Sequence, residues 1–389
     1  MNTTIDTKGL NGRLVKNTKL YAWFEVIVLL WSFLFIGADC DSSAPPPPPP
    51  PQYTYTWTID TLIYDISGYR PPNRFVVQSI WGSSPHDVWA VAPSDVPWGE
   101  LWHYDGKKWR AVQWPWLSTD EIGLYGGYLY ATTGFDSANV FFFGSHRYND
   151  SEGTAAVYKW SNNNWGDVPW KDGKRAIGGI AWGVKQNNNK LWAIVATGVV
   201  IKYENGFLSE EPRVTDYRLS SPVIAALENG EVYLNPFKDS IQNGHLRGSI
   251  TKLYKRDLSG NWLLVENKFI AGSDYDDNGL GRGLISTGNR LFSDNRGIWE
   301  KIDTGWIKRL NIYGLGGQIL HNENDIWIYV SKELWHQQGV EWNKININLL
   351  ESYPDYYLFG EGWSNGQEVF IGFTDLTKSF VLHGKKKQL

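Results

Sequence analysis

The chain of 389 residues contains one cysteine, Cys40, and it lies ahead of everything that reads as a folded domain. Disulfide staples are therefore excluded, and burial of apolar surface has to hold the fold. Charge of one sign is also lacking: 37 Lys and Arg against 41 Asp and Glu leave a net charge of −4. That balance lacks the electrostatic footprint of a nucleic-acid binder, and the one basic run, Lys385–Lys387, is too short to supply it. Alternation of strands with helices is missing, which excludes a nucleotide-binding α/β domain and with it a glycosyltransferase. The seven histidines form no His-x-x-His or His-x-x-x-His pair, which excludes the usual zinc spacings. No Gly-x-Ser-x-Gly occurs, so acyl transfer has no nucleophile. The glycines at Gly279, Gly281 and Gly283 open no helix after a strand and are not a dinucleotide loop.

The chain is instead rich in tryptophan, with 22 residues, and aromatics make up 15% of it. Aromatic residues suit half-buried pleated surfaces, which points to sheet and to packing as the default role for most of these rings. A phrase repeats about seven times, most plainly over Ser79–Trp109: Ile80-Trp81-Gly82, then Asp87-Val88-Trp89-Ala90-Val91, then Leu101-Trp102-His103-Tyr104, a turn at Asp105-Gly106, and Trp109. Each phrase holds four short strands, and a repeated four-stranded sheet makes a β-propeller. The second strand can be aligned at Asp87-Val88-Trp89, Asn139-Val140-Phe141, Lys190-Leu191-Trp192, Glu231-Val232-Tyr233, Arg290-Leu291-Phe292, Asp325-Ile326-Trp327 and Glu368-Val369-Phe370, with spacings of 35 to 59 residues. Turns such as Asn162-Asn163-Asn164 and Asn205-Gly206 carry the residues that tolerate positive φ. His103, His336 and His383 recur at one repeat position, which reports a repeat consensus rather than a metal site.

The expectation is an all-β propeller of seven four-stranded blades, with six or eight as alternatives. The seventh phrase ends at Val381-Leu382-His383-Gly384 without a fourth strand. Trp57–Leu62 is the expected replacement, closing the ring and removing an open sheet edge.

At the N-terminus, Lys8, Arg13, Lys16 and Lys19 precede an apolar stretch, Tyr21–Ala38, interrupted by Glu25 and Ser32. This is a positive n-region followed by an h-region. With Ile36-Gly37-Ala38 before Cys40, it resembles a bacterial lipoprotein signal, although Asp39 stands where a lipobox has a small neutral residue. The resemblance implies lipidation at Cys40. An uncleaved anchor remains open, since the stretch would span about 27 Å of a core of about 30 Å, and so does soluble secretion. Each of these exports the domain and places it in the cell envelope or outside. Pro45–Pro51 then form a polyproline II spacer of about 22 Å. The expected organisation is a leader or anchor over 1–40, a Ser/Pro-rich linker over 41–52, the propeller over 53–384 and a basic tail over 385–389.

Ile80–Val91 and Trp102–Trp109 together resemble the IWGSSPxDVWAVG…WHYDGxxW repeats of a family of exported bacterial propeller proteins, often lipoproteins. The resemblance covers about residues 55–384 and implies a Kelch- or sialidase-like architecture. Some relatives carry a "glucosyl transferase" label, an activity that no residue pattern here supports.

Loops between second and third strands and between blades read as long and aromatic, and insertions gathered on one face often mark a binding face. Trp98, Trp114, Trp116 and Tyr148 are the candidate ligand-binding residues, suited to stacking on sugar rings or anchoring a protein, with packing onto the blades as the competing role. Pro93–Glu100, Ser145–Thr154 and Asn235–Gly248 are read as such loops. Asp95, Glu100, Asp150 and Glu152 are loop carboxylates that a glycan hydrolase or lyase could use. Asp274, Asp276 and Asn278, followed by Gly279, match the opening of a calcium loop, although its twelfth position is Ile285 rather than a bidentate glutamate. Calcium is accordingly a possible ligand, and a purely structural envelope scaffold is a third reading of the whole.

Overall fold

The computed structural model describes residues 54–387 apart from short stretches, the longest of which are 115–128, 215–223, 147–153 and 272–278. The described residues form an all-β propeller, built from six hydrogen-bonded sheets. Ser79–Ser84, Asp87–Val91, Leu101–Tyr104 and Trp109–Ala111 form the first antiparallel run, and Leu129–Asp136 through Asn164–Asp167 form the next sheet. Ala181–Glu210, Ile224–Ala271, Gly283–Leu310 and Gly317–Ile345 repeat the pattern.

The six sheets correct the expectation of seven four-stranded blades in favour of its six-blade alternative. The runs Ser79–Ala111 and Gly317–Ile345 belong to a single ten-stranded sheet, because the two-residue strand Gly360–Glu361 pairs in parallel with both. Gly360 makes this bridge possible. It has φ +72°, and a Cβ on it would lie 2.3 Å from the Gln78 carbonyl oxygen. Its own carbonyl accepts the Tyr329 hydroxyl, and the Glu361 N–H donates to Gln78 O at 2.8 Å.

The remaining sheet joins the two ends of the domain. Thr54–Asp60 pairs antiparallel with Ser379–Lys387 over its whole length, Trp57 opposite Gly384 and Asp60 opposite Val381. The closing strand thus begins and ends slightly earlier than Trp57–Leu62. Leu62–Ile63 turns away to pair in parallel with Trp109 and Arg110. Lys385–Lys387, read from sequence as a tail, continues the strand and pairs with Thr54–Thr56.

Tryptophan is spent mainly on contacts between neighbouring repeats. Trp89 packs against Phe142 and Trp160, with ring centroids 5.4 and 5.8 Å apart. Tyr104 and Trp109 meet Phe370 at 5.4 and 6.1 Å, and Tyr55 and Trp57 meet Trp327 at 5.0 and 6.0 Å. Edge-to-face pairs of this kind add about 0.5–1.5 kcal/mol each beyond the area they bury. Asn162, Asn163, Asn205 and Gly206 have the positive φ that their turns require.

Candidate functional site

Each second strand carries a polar residue, then an aromatic ring two positions on, with a polar partner directly across on the third strand. The cross-strand pairs are Trp89–His103, Phe141–Lys159, Trp192–Lys202, Tyr233–Lys255, Phe292–Glu300, Trp327–His336 and Phe370–His383. Register alone therefore sets a polar partner opposite each ring, and in five repeats the second-strand polar residue also bonds to that partner.

In the first repeat, Asp87 Oδ1 accepts from Trp89 Nε1 at 3.0 Å and lies 2.8 Å from His103 Nε2, while Ser83 Oγ donates to Oδ2 at 2.5 Å. Burial pushes the Asp87 carboxyl up, but these hydrogen bonds outweigh it and hold the group below its usual range. Asp325 repeats the arrangement with Trp327 Nε1 at 3.1 Å and His336 Nε2 at 2.6 Å. In the last repeat His383 lies between Glu368, 2.7 Å from Nε2, and Asp60 of the closing strand, 3.2 Å from Nδ1.

Where histidine is absent the charges are rearranged. Glu231 accepts from Tyr233 at 2.8 Å and from Lys255, whose ammonium also stands 5.7 Å from the Tyr233 ring. Burial followed by the Glu231 hydrogen bond drives the Tyr233 phenol well above its ordinary value. The polarity is reversed at Arg290 and Glu300, which lie 2.7 Å apart with Arg309 as second partner at 2.6 Å. Lys190 and Lys202 are both cations and share Glu204, which they hold down at about 2.

Beside the first repeat a cavity of about 610 Å³ is lined by polar groups, including Asp65, Ser67, His103, Asp105, Arg110 and Gln113. Arg110 forms an ion pair with Asp65 on one wall. Asp105 accepts the N–H groups of Lys107 and Lys108 at 2.9 and 3.0 Å, which lower its pKa. Ile66, Ala111 and Val112 complete the lining beside these polar groups.

Of the four aromatic candidates, the described one is Trp114, and it requires a correction. It is fully buried and packs on Tyr158 at 5.2 Å, so its ring fills core under the loop instead of offering a stacking surface. Trp98, Trp116 and Tyr148 lie outside the described residues, as do Asp274, Asp276, Asn278 and Cys40. Gly279 sits against Trp306, and Ile285 is a buried strand residue. Among the described residues no group of three or more His, Cys, Asp or Glu side chains is placed to hold a metal ion.

Asp95, Asp150 and Glu152 also lie outside the described residues, whereas Glu100 is 3% exposed. Glu100 Oε2 accepts the Leu129 N–H at 3.3 Å, joining the first repeat to the second, and burial raises its carboxyl well above the usual range. The segment read as a loop over Asn235–Gly248 is a hairpin extension, in which Phe237–Gln242 pairs with the start of His245–Arg256. Sequence reading also missed the exposed apolar strand beside it, Trp262–Ala271, where Leu263, Leu264, Val265 and Phe269 are about half exposed. Its visible signal is the unalternated run Leu263-Leu264-Val265.

The fold and its recurring triads define a β-propeller, and comparison with known proteins supports that class. No family profile and no curated protein matches the chain. Among solved structures, YCF48 bound to a D1 peptide superposes with a TM-score of 0.54 at 13% identity, covering 86% of this chain and 99% of that one. An ulvan lyase from a polysaccharide lyase family covers 83% of this chain and 97% of its own, with TM-score 0.47 and 9% identity. An α-L-arabinanase of Penicillium chrysogenum complexed with arabinobiose covers 86% and 99%, with TM-score 0.44 and 14% identity.

Proposed function

We propose that the chain is an exported, membrane-tethered propeller that acts as a non-enzymatic binding module for a protein or glycan ligand. The carrying observation is the commitment of the repeats' ionisable groups: Asp87–His103, Asp325–His336, Glu231–Lys255 and Arg290–Glu300 are consumed in holding strand to strand. Ligand contact then falls to loops and exposed strands, where Trp98, Trp116 and Tyr148 are the aromatic candidates. The Tyr21–Ala38 stretch, Cys40 and the proline spacer support tethering at the cell envelope by lipid or anchor. Peptide binding, the state in which YCF48 was solved, is compatible with the protein-ligand arm. Calcium at Asp274, Asp276 and Asn278 would support the neighbouring loop.

Glycan hydrolysis or elimination is the second reading, with Asp95, Glu100, Asp150 and Glu152 as its candidate carboxylates. Binding of the full-length chain to glycan and peptide arrays, with calcium and with chelator, tests the first reading. Selective binding that weakens in a folded Trp98→Ala/Trp116→Ala variant supports it. Absence of binding on both arrays counts against it.

A further inference from the structure

The last repeat has an opening where the others have a hairpin. Elsewhere a turn joins the third strand to the fourth, with end pairs such as Ser161–Asn164, Glu204–Phe207 and Gln338–Glu341. In the closing sheet the equivalent end pair is Thr54 with Lys387, which belong to opposite ends of the domain and are joined by no turn. The segment that leads into the domain therefore enters where the other repeats turn. Antiparallel order puts the first-to-second strand turns, such as Ser84–Asp87, at this same end of each sheet and the remaining connections at the opposite end. The last repeat is aligned with its neighbours, since Gly360–Glu361 runs parallel to Ser79–Ser84 and to Gly317–Asn322. Thr54 thus opens on the face of the hairpin turns. The opposite face receives the connections 92–100, 112–128, 211–223 and 272–282, together with the Phe237–Gln242 extension.

Two residues before Thr54 the proline run Pro45–Pro51 ends, and a polyproline II segment is stiff over several residues. A tether that enters on the hairpin face holds that face nearer its anchor. Turning the domain over would make the linker run back along the edge of the closing sheet. The seven-residue strand Thr54–Asp60 makes that edge about 23 Å long at about 3.3 Å per residue. A proline spacer resists such a reversal. We propose that the hairpin face is turned toward the membrane that carries the tether, and that the opposite face, with the long connections, is presented away from it. The ligand then reaches the propeller from the side away from that membrane and is not a component of the membrane itself. This rests on the tethering reading and adds a direction to it.

The test uses the full chain, isolated from bacterial membranes and reconstituted into phosphatidylcholine vesicles that carry an acceptor dye on lipid headgroups. A donor dye is attached through p-azidophenylalanine, which leaves Cys40 untouched. Leu258 and Val340 are exposed at hairpin turns, and Arg213 and Ser352 are exposed on connections of the opposite face. Energy transfer to the lipid dye should be several-fold greater from Leu258→p-azidophenylalanine and Val340→p-azidophenylalanine than from the same substitution at Arg213 and Ser352. Using two positions on each face separates orientation from tilt, and an unchanged circular dichroism spectrum confirms that each variant folds. Equal transfer from both faces, or greater transfer from Arg213 and Ser352, overturns the proposed orientation while leaving the tether intact. A chain that does not float with the vesicles fails the tethering reading itself and overturns this proposal with it.

Discussion

His336 lies flat against Trp327, with ring centroids 3.7 Å apart and 9° between the planes, while its Nε2 stands 2.6 Å from Asp325. Stacking fixes the plane of the imidazole, and the carboxylate fixes its rotation, so the third strand is tied to the second by two contacts on one side chain. Phe370 and His383 reproduce the stack at 4.0 Å and 25°, and Trp89 and His103 do so with a larger tilt.

This coupling is measurable. Asp325→Asn and His336→Gln should each destabilise the chain by about 1–3 kcal/mol, the range for losing one partner of a buried hydrogen bond. Denaturant unfolding of both single variants and the double variant should show a coupling of at least about 0.5 kcal/mol. Strict additivity would mean that the two residues do not act on each other.

Glu300 presents the same problem with its charges reversed. It is buried and accepts from both Arg290 and Arg309, so Glu300→Gln leaves two guanidinium groups without their carboxylate. A loss of about 1–3 kcal/mol is expected, less than for a fully buried pair because the Arg309 side chain is partly exposed. Thermal unfolding at neutral pH would reveal it, and a melting temperature equal to that of the parent chain would contradict it.

Acid should unfold the chain through the same carboxylates. Asp87, Glu231 and Glu300 have folded pKa values below their ordinary 3.8, 4.5 and 4.5, so their contribution is complete above those values. It is lost as pH falls through the lower folded values. Stability measured from pH 6 downward should therefore decline in the acid range, and the decline should be smaller in Asp87→Asn.

Glu100 has the opposite sign. Its folded pKa is raised, so the fold favours the protonated form, and that contribution is present below the ordinary value of 4.5 and lost as pH rises through the folded value. Glu100→Gln should melt higher than the parent chain at neutral and alkaline pH, with the difference shrinking in acid. A pH-independent difference would show that the carboxyl is not buried as a neutral group.

Closure depends on Trp57, which packs on Trp327 and lies over Gly384, where an added Cβ would come within 2.6 Å of the ring. Trp57→Ala should cost about 3 kcal/mol, at the low end for truncating a large aromatic because the ring is only partly buried. Loss of near-ultraviolet dichroism and of far-ultraviolet signal should remain coincident in the parent chain. Separate transitions would mean that the two ends of the domain are not joined into one cooperative unit.

Repetition makes much of this architecture legible in the sequence. The Asp-x-Trp and Glu-x-Tyr phrases locate the second strands because period-two alternation and an aromatic ring mark a half-buried strand, and the Asn-Gly turns place the strand ends. Closure by the segment around Trp57 followed from the missing fourth strand of the last phrase. The merging of two repeats through Gly360–Glu361 left no pattern, since a two-residue strand has no periodicity to detect. The Phe237–Gln242 hairpin was hidden because Lys238, Asp239 and Ser240 read as loop, although the pairing with Gly248–Ile250 makes them strand. Trp114 was misplaced for a related reason. An aromatic residue just after a short strand looks exposed in sequence, and only tertiary packing against Tyr158 buries it.

Full-length protein incubated with envelope polysaccharides and with a peptide library, assayed together for ligand retained and for new reducing ends or unsaturated products, is the most direct measurement of the binding reading. Retention of one ligand class with no product formed, unchanged in Glu100→Gln, is the predicted result. Product that accumulates with the parent chain and disappears with Glu100→Gln would contradict it and make the propeller an enzyme.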